Sequence, residues 1–251
     1  LISVKLKQRR ARTGVRLRVI PVGGTITLGK FKVEFFPVCH SIPDSVGLII
    51  HTPVGTVVHS GDFKLDYTPV DGKPTNLSRL AQIGAQGVLL LLSDSTYAEL
   101  PGYTPSEKVV GETLEQVMAQ APGRVIVATF SSLVSRIQQV IDAAAKYQRR
   151  VFVVGRSMSD TVRMALELGY LRAPEGILGR LDQLRGMPHN KVVFVTTGSQ
   201  GEPTSALVRM ANRDHRQLHI IPGDTVILSA TPIPGNEAVV NRTVDNLFKQ
   251  G

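Results

Sequence analysis

The sequence predicts an α/β fold in two parts, a β-rich first part followed by strands alternating with helices. Three observations carry this. Phe31, Val33 and Phe35 alternate with Lys32, Glu34 and Phe36, the period of a half-buried strand. Gly87 to Leu92 is a continuous apolar run, which predicts a strand buried on both faces. From Thr104-Pro105-Ser106-Glu107 onward, a capping box with proline at the first helical position opens a regular strand–helix alternation.

Taken in order, Val46–His51 and Thr56–His59 read as short strands turned by Pro53 and Gly55. The capping box predicts a helix over 105–121. Strand 124–129 and helix 133–147 follow, the helix with Val134, Ile137, Val140 and Ile141 on one face. Strand 151–154 leads to a helix opened by Ser157 with Asp160 at its third position and stopped at Gly169. Strand 192–196, helix 205–212, two short strands at 219–222 and 226–229 around Gly223-Asp224, and helix 237–249 complete the chain. Such alternation implies a mostly parallel sheet with helices on its faces.

A chain of 251 residues, 42% hydrophobic, can bury a substantial core, and with 5% aromatics and no Trp that core must be aliphatic. No apolar run is long enough for a membrane span, and no signal peptide is visible. The lone Cys39 excludes an intrachain disulfide framework and is compatible with a reducing cytoplasm. Seven of the Lys and Arg residues fall within residues 1–20, which carry no acid, so the rest of the chain holds only +2 of the net +9. A stretch of this kind is either a polyanion-binding arm or the wet face of an ordinary strand or loop. The chain starts at Leu1 inside what reads as a structured segment and stops at Gly251 directly after a helical pattern, as a piece of a longer protein would.

Two strand ends in the first part offer metal chemistry. Phe36-Pro37-Val38-Cys39-His40 runs into a Pro-stiffened turn, and Val57-Val58-His59-Ser60-Gly61-Asp62 ends an apolar strand in Gly-Asp. Side chains at strand ends converge on one rim of a sheet, where a neutral imidazole and a carboxylate can share a divalent cation. Read singly, His40 is a hydrogen-bonded structural histidine and Gly-Asp is a turn. The order of motifs says more. Cys39-His40-Ser41-Ile42-Pro43-Asp44-Ser45, Ser60-Gly61-Asp62-Phe63-Lys64, Ser93-Asp94-Ser95-Thr96 with Glu99, Thr197-Gly198-Ser199-Gln200-Gly201-Glu202-Pro203 and Pro232-Ile233-Pro234-Gly235-Asn236-Glu237 occur in succession. This set resembles the ribonuclease J family, in the β-CASP branch of the metallo-β-lactamase superfamily, from about Gly29 onward.

The resemblance implies that residues 1–104 complete a metallo-β-lactamase-like sheet and that 105–251 form most of a β-CASP-type parallel α/β domain. It implies two divalent cations, zinc first and manganese or magnesium as alternatives. His40 would bind one metal, Asp62 would bridge both, and Asp94 would orient a histidine of the site; without the resemblance, Asp94 in Asp-Ser-Thr reads as a turn-capping carboxylate. The implied activity is hydrolysis of RNA phosphodiester bonds, 5′-to-3′ exonucleolytic and also endonucleolytic, in cytoplasmic RNA processing and decay by a homo-oligomer. The sequence departs from the pattern in two respects, one being that the family's two further histidine motifs, expected after the last helix, do not occur before Gly251. The superfamily's His-x-His-x-Asp-His cluster is absent, since no pair among His40, His51, His59, His189, His215 and His219 is two apart. This chain therefore carries only part of a two-metal site. A noncatalytic RNA-binding relative and a small-ester or thioester hydrolase are the competing functions.

The second part supplies the substrate argument. Phe130-Ser131-Ser132, Arg156-Ser157 and Gly198-Ser199-Gln200-Gly201 stand at strand-to-helix junctions, where crevices form at the carboxyl ends of parallel strands. Helix N-termini there present free N–H groups to anions, the glycines permit close backbone approach, and Arg136 and Arg156 add cations. A row of such sites suits a phosphodiester backbone. Phe130 and Tyr97 are the candidate stacking aromatics.

Overall fold

The computed structural model describes residues 17–250. Lys5, Lys7, Arg9, Arg10, Arg12 and Arg16 of the basic stretch lie outside them. The chain divides into two compact units, one ending at Ser106 and the other beginning at Glu107.

The first unit holds a sheet of five strands in simple order: β1 (Thr25–Leu28), β2 (Phe31–Pro37), β3 (Val46–Thr52), β4 (Gly55–His59) and β5 (Leu90–Leu92). The first four pair antiparallel in succession, and β5 joins β4 in parallel after a crossover through helix α1 (Leu77–Gln86). The sequence reading missed α1, although Asn76 caps it by accepting from the Arg79 N–H, and Leu77, Leu80 and Ile83 recur at helical spacing. Its Ile83 completes a small core of Phe36, Val38, Ile49 and Val58. The ring of Phe36 lies against Gly47 on the neighbouring strand so closely that any Cβ there would overlap it. Two expectations fail here. Val33 is buried as expected, but Phe31 is 48% exposed, Phe35 is half-buried, and Phe36 from the other set is buried. The Gly87–Leu92 run is not doubly buried: Leu89 to Leu92 are 46–61% exposed. Beyond β5 no described strand continues the sheet, so the outer edge of β5 is unpaired among the described residues.

The second unit is a three-layer α/β/α sandwich. Its parallel sheet runs in the order β10 (Thr225–Leu228), β6 (Val125–Ala128), β9 (Val192–Thr196), β7 (Arg150–Val154), β8 (Leu178–Gly179). Strands β6 and β9 are buried throughout. Alternate residues feed opposite layers. Val125, Val127, Val151, Val193 and Val195 meet α2 (Glu107–Gln120), α3 (Val134–Lys146) and α4 (Arg156–Glu167). Ile126, Ala128, Phe152, Val154 and Phe194 meet α5 (Ala206–Ala211) and α6 (Glu237–Phe248). Helix α4 starts at Arg156 from a Gly155 cap, so Ser157 is its second residue and not its cap. Residues 219–222 join no ladder. That segment is held by Arg124, which donates to the His219 carbonyl at 2.7 Å while pairing with Asp224, whose carboxylate accepts from the Ile221 N–H.

Candidate functional site

In the first unit the loops after β2, β4 and β5 are tied into one cluster. The Lys64 N–H donates to the Cys39 carbonyl at 2.7 Å, which sets the segment after Asp62 against the segment before His40. Thr75 strengthens this seam: its Oγ1 accepts from the Cys39 N–H at 2.9 Å and donates to the Lys64 carbonyl at 3.1 Å. Asp94 is brought in by Ser60, whose Oγ accepts from the Asp94 N–H at 2.8 Å. Ser60 and Thr75 are buried structural residues that the sequence reading passed over; small hydroxyl side chains beside a strand end and a helix cap were the available signal.

Asp62 follows Gly61, which stands at φ 64° with its α-carbon so near the Val46 carbonyl that a Cβ would lie 2.7 Å from that oxygen. Only glycine fits this turn. The Asp62 carboxylate is exposed and has no hydrogen bond or ion pair among the described residues. His40 is half-buried, with Nδ1 3.3 Å from the Ser41 hydroxyl. Asp94 forms the turn-capping bonds that its Asp-Ser-Thr setting predicts. Its Oδ1 accepts from the Thr96 hydroxyl at 2.7 Å and the Thr96 N–H at 3.0 Å, the bonds of a capped turn. Those two bonds, in that order, hold its carboxyl below the usual aspartate range. Burial opposes them, while the Phe63 N–H and the nearby charge of His40 lower it further. His40, the Asp62 loop and Asp94 are thus neighbours.

An imidazole beside carboxylates is the right donor chemistry for a zinc-like divalent cation. Among the described residues, however, no three His, Cys, Asp or Glu side chains gather in one place that could hold an ion. The described residues by themselves do not complete a metal site. His215 and His219 add nothing to it: His215 Nδ1 accepts from the Leu218 N–H at 3.1 Å as a turn residue. Burial, then Arg209 and His219, holds its pKa below the ordinary value.

In the second unit the three predicted loops do come together. They follow β6, β9 and β7, which are consecutive neighbours in the sheet and run parallel, so the loops line one carboxyl edge. The Thr129 N–H bonds to the Thr196 carbonyl at 3.0 Å, and Gly155 sits against Thr197. The members differ in what they present. Ser132, Arg156 and Ser157 are exposed, Phe130 and Ser131 are half-buried, and Gly198, Ser199, Gln200 and Gly201 are buried.

Gln200 is committed within the chain. Its Nε2 donates to the Thr231 carbonyl at 3.0 Å, and its Oε1 accepts from the Ile233 N–H at 2.7 Å and from Asn236 Nδ2 at 3.3 Å. It fastens the loop after β9 to the loop before α6. The glycines serve the same close fit. A Cβ on Gly198 would lie 2.5 Å from the Ser205 hydroxyl, and one on Gly201 2.8 Å from the backbone of Val239 in α6. The close approach they permit is to this chain's own atoms. The hydroxyls of Ser199 and Ser205 are buried without a hydrogen-bond partner. Arg136 is not a free cation: its guanidinium donates to Glu107 at 2.7 Å and to the Ser229 carbonyl at 3.0 Å, and it is buried. Arg156 is exposed and has no ion pair among the described residues.

Among the described residues no helix is long and apolar enough to cross a membrane. The chain is 49% identical to ribonuclease J of Thermus thermophilus and 46% identical to ribonuclease J of Synechocystis, over its whole length in both cases. It is 44% identical to ribonuclease J2 of Bacillus subtilis, again over its whole length. It spans only 44%, 39% and 45% of those three proteins. Its fold is similar to the crystal structure of a protein of unknown function from Enterococcus faecalis V583, with a TM-score of 0.57 and 16% identity over 92% of this chain and 60% of the other. Residues 122–247 match the family described as ribonuclease J, beta-CASP domain. With half its length in that domain and its whole length aligned to proteins of that name, the chain belongs to the ribonuclease J family.

Proposed function

We propose that the protein of which this chain forms part is a metal-dependent ribonuclease that hydrolyses RNA phosphodiester bonds, both 5′-to-3′ exonucleolytically and endonucleolytically, in RNA processing and decay. The observation that carries the reading is the meeting of His40, the Asp62 loop and Asp94 at one rim of the first unit's sheet. His40 and Asp62 would hold the metal, zinc in first place, with further ligands from outside this chain. Such ions supply an activated water and offset charge on the phosphate. Asp62 is suited to a ligand's role because its exposed carboxylate is held by a glycine turn and has no partner of its own among the described residues. Asp94, fixed by Thr96 and Phe63, orients His40 through its charge.

In the second unit, Ser132, Arg156 and Ser157 contact the RNA backbone, at the sheet edge that also carries the buried Gly198–Gly201 loop. Phe130 and Ser131 stand at the same edge. Contacts of this kind position a strand without reading its sequence. Cytoplasmic action as a homo-oligomer is part of the same reading, and the single cysteine is compatible with it.

The test is Asp62→Ala in the full-length protein, assayed on 5′-monophosphorylated RNA with metal present. Cleavage should fall by more than about 100-fold, beyond the 10–100-fold usual for changes outside the ligand shell, with circular dichroism unchanged. Retained cleavage would remove Asp62 from the metal site. Turnover of small esters with RNA left intact would remove the ribonuclease reading altogether.

A further inference from the structure

All three tyrosines of the first unit, Tyr67, Tyr97 and Tyr103, lie in the two loops that carry Asp62 and Asp94. None is in a strand or helix, and Tyr67 and Tyr103 are 78% and 90% exposed. In a chain with no Trp and few aromatics, these loops gather three rings that can stack on a flat ligand beside one rim.

The backbone around these rings is held in place. Buried Asp66 accepts from the Thr68 N–H at 2.9 Å, closing a turn with Tyr67 at its apex. Thr68 and Ser106 then pin the two loops together through paired bonds, hydroxyl to hydroxyl at 3.0 Å and Ser106 hydroxyl to Thr68 carbonyl at 3.1 Å. Tyr67 and Tyr103 flank that pin, one and three residues from it. Tyr97 is held at φ 62°, a conformation a bulky side chain seldom adopts, and is 50% exposed. The hydroxyls of Tyr67 and Tyr103 have no partner among the described residues, so the rings are not anchored as core tyrosines.

From this we infer that Tyr67 and Tyr103 form a stacking platform for the bases of single-stranded RNA, next to the rim where His40, Asp62 and Asp94 meet. Ring-on-base stacking tolerates any sequence because every base has a π-face. It therefore complements backbone contacts of the kind proposed for Ser132, Arg156 and Ser157. The inference rests on the ribonuclease reading.

The experiment uses the full-length protein and 5′-monophosphorylated RNA oligomers carrying 2-aminopurine at one position at a time. Wild type should quench the fluorophore at one or two positions. Tyr67→Ala and Tyr103→Ala should remove that quench and raise KM by about 5- to 150-fold per lost stack, with kcat little changed. Tyr67→Phe and Tyr103→Phe should retain both quench and KM, and Phe248→Ala, which alters an exposed aromatic on α6, should behave as wild type. Alanine variants with wild-type quench and KM would overturn the platform. So would alanine variants that lower Tm while leaving KM unchanged, because the rings would then be packed under another part of the protein. Wild-type cleavage, and its loss in Asp62→Ala, tests the ribonuclease reading separately.

Discussion

Two arginines that look alike in the sequence differ in what surrounds them. Arg136 lies in α3, its guanidinium enclosed by Glu107 and Ser229, whereas Arg156 begins α4 at the exposed edge of the parallel sheet. Nothing in the sequence separates them, because burial of an arginine depends on a partner 29 residues away in one direction and 93 in the other. For Arg156→Ala in the full-length protein, RNA affinity should fall about equally for all sequences, and the slope of log K against log salt should shrink by about one. A titration series at several salt concentrations reads this, and an unchanged slope would show that Arg156 faces no phosphate. Motif order singled out His40, Asp62 and Asp94, whose loops the structure ties together. Ser60 and Thr75, which fasten their loops, were not legible, since a hydroxyl reveals its role only once its partners from distant segments are in place.

Elements were legible where both faces of a strand are buried and illegible where tertiary context decides. Strands β6, β7 and β9 fell where periodicity put them, and α3 buries the predicted Val134, Ile137, Val140 and Ile141. Helix α1 was missed, yet it is fastened to β2 by Arg79, which donates to both oxygens of Glu34 at 2.6 and 2.7 Å. The hydrogen bond from Arg79 is the largest reason why the Glu34 carboxyl titrates below its ordinary range. A lowered carboxyl pKa adds stability that is full above the unfolded value and lost as pH falls through the folded one. Glu34→Gln should therefore cost about 1–2 kcal/mol near neutral pH. The two proteins should converge in stability as pH falls through the lowered folded-state pKa of Glu34, below which the carboxyl is protonated in both states. Urea unfolding at a series of pH values measures this, and a constant difference across the range would count against the ion pair as its source.

At the scale of the whole molecule the two units are unequally finished. The second encloses its sheet between helical layers, while the first ends in β5 with Leu89, Leu90, Leu91 and Leu92 bare and one strand edge unpaired. An apolar run in sequence says that a strand wants cover; it cannot say where that cover comes from. Exposed apolar strand edges template pairing with other chains. These 251 residues expressed alone should accordingly self-associate with rising concentration, and Leu91→Lys, with a charge on the bare strand, should suppress it. Sedimentation velocity decides this, and a monomer at all concentrations would show β5 to be harmless. If these 251 residues were made alone in a cell, the same strand would act as a label: chaperones and proteases recognise exposed apolar segments of this kind. The lifetime of the isolated segment would then be set by three residues of β5, however firmly the parallel sheet of the other unit is packed.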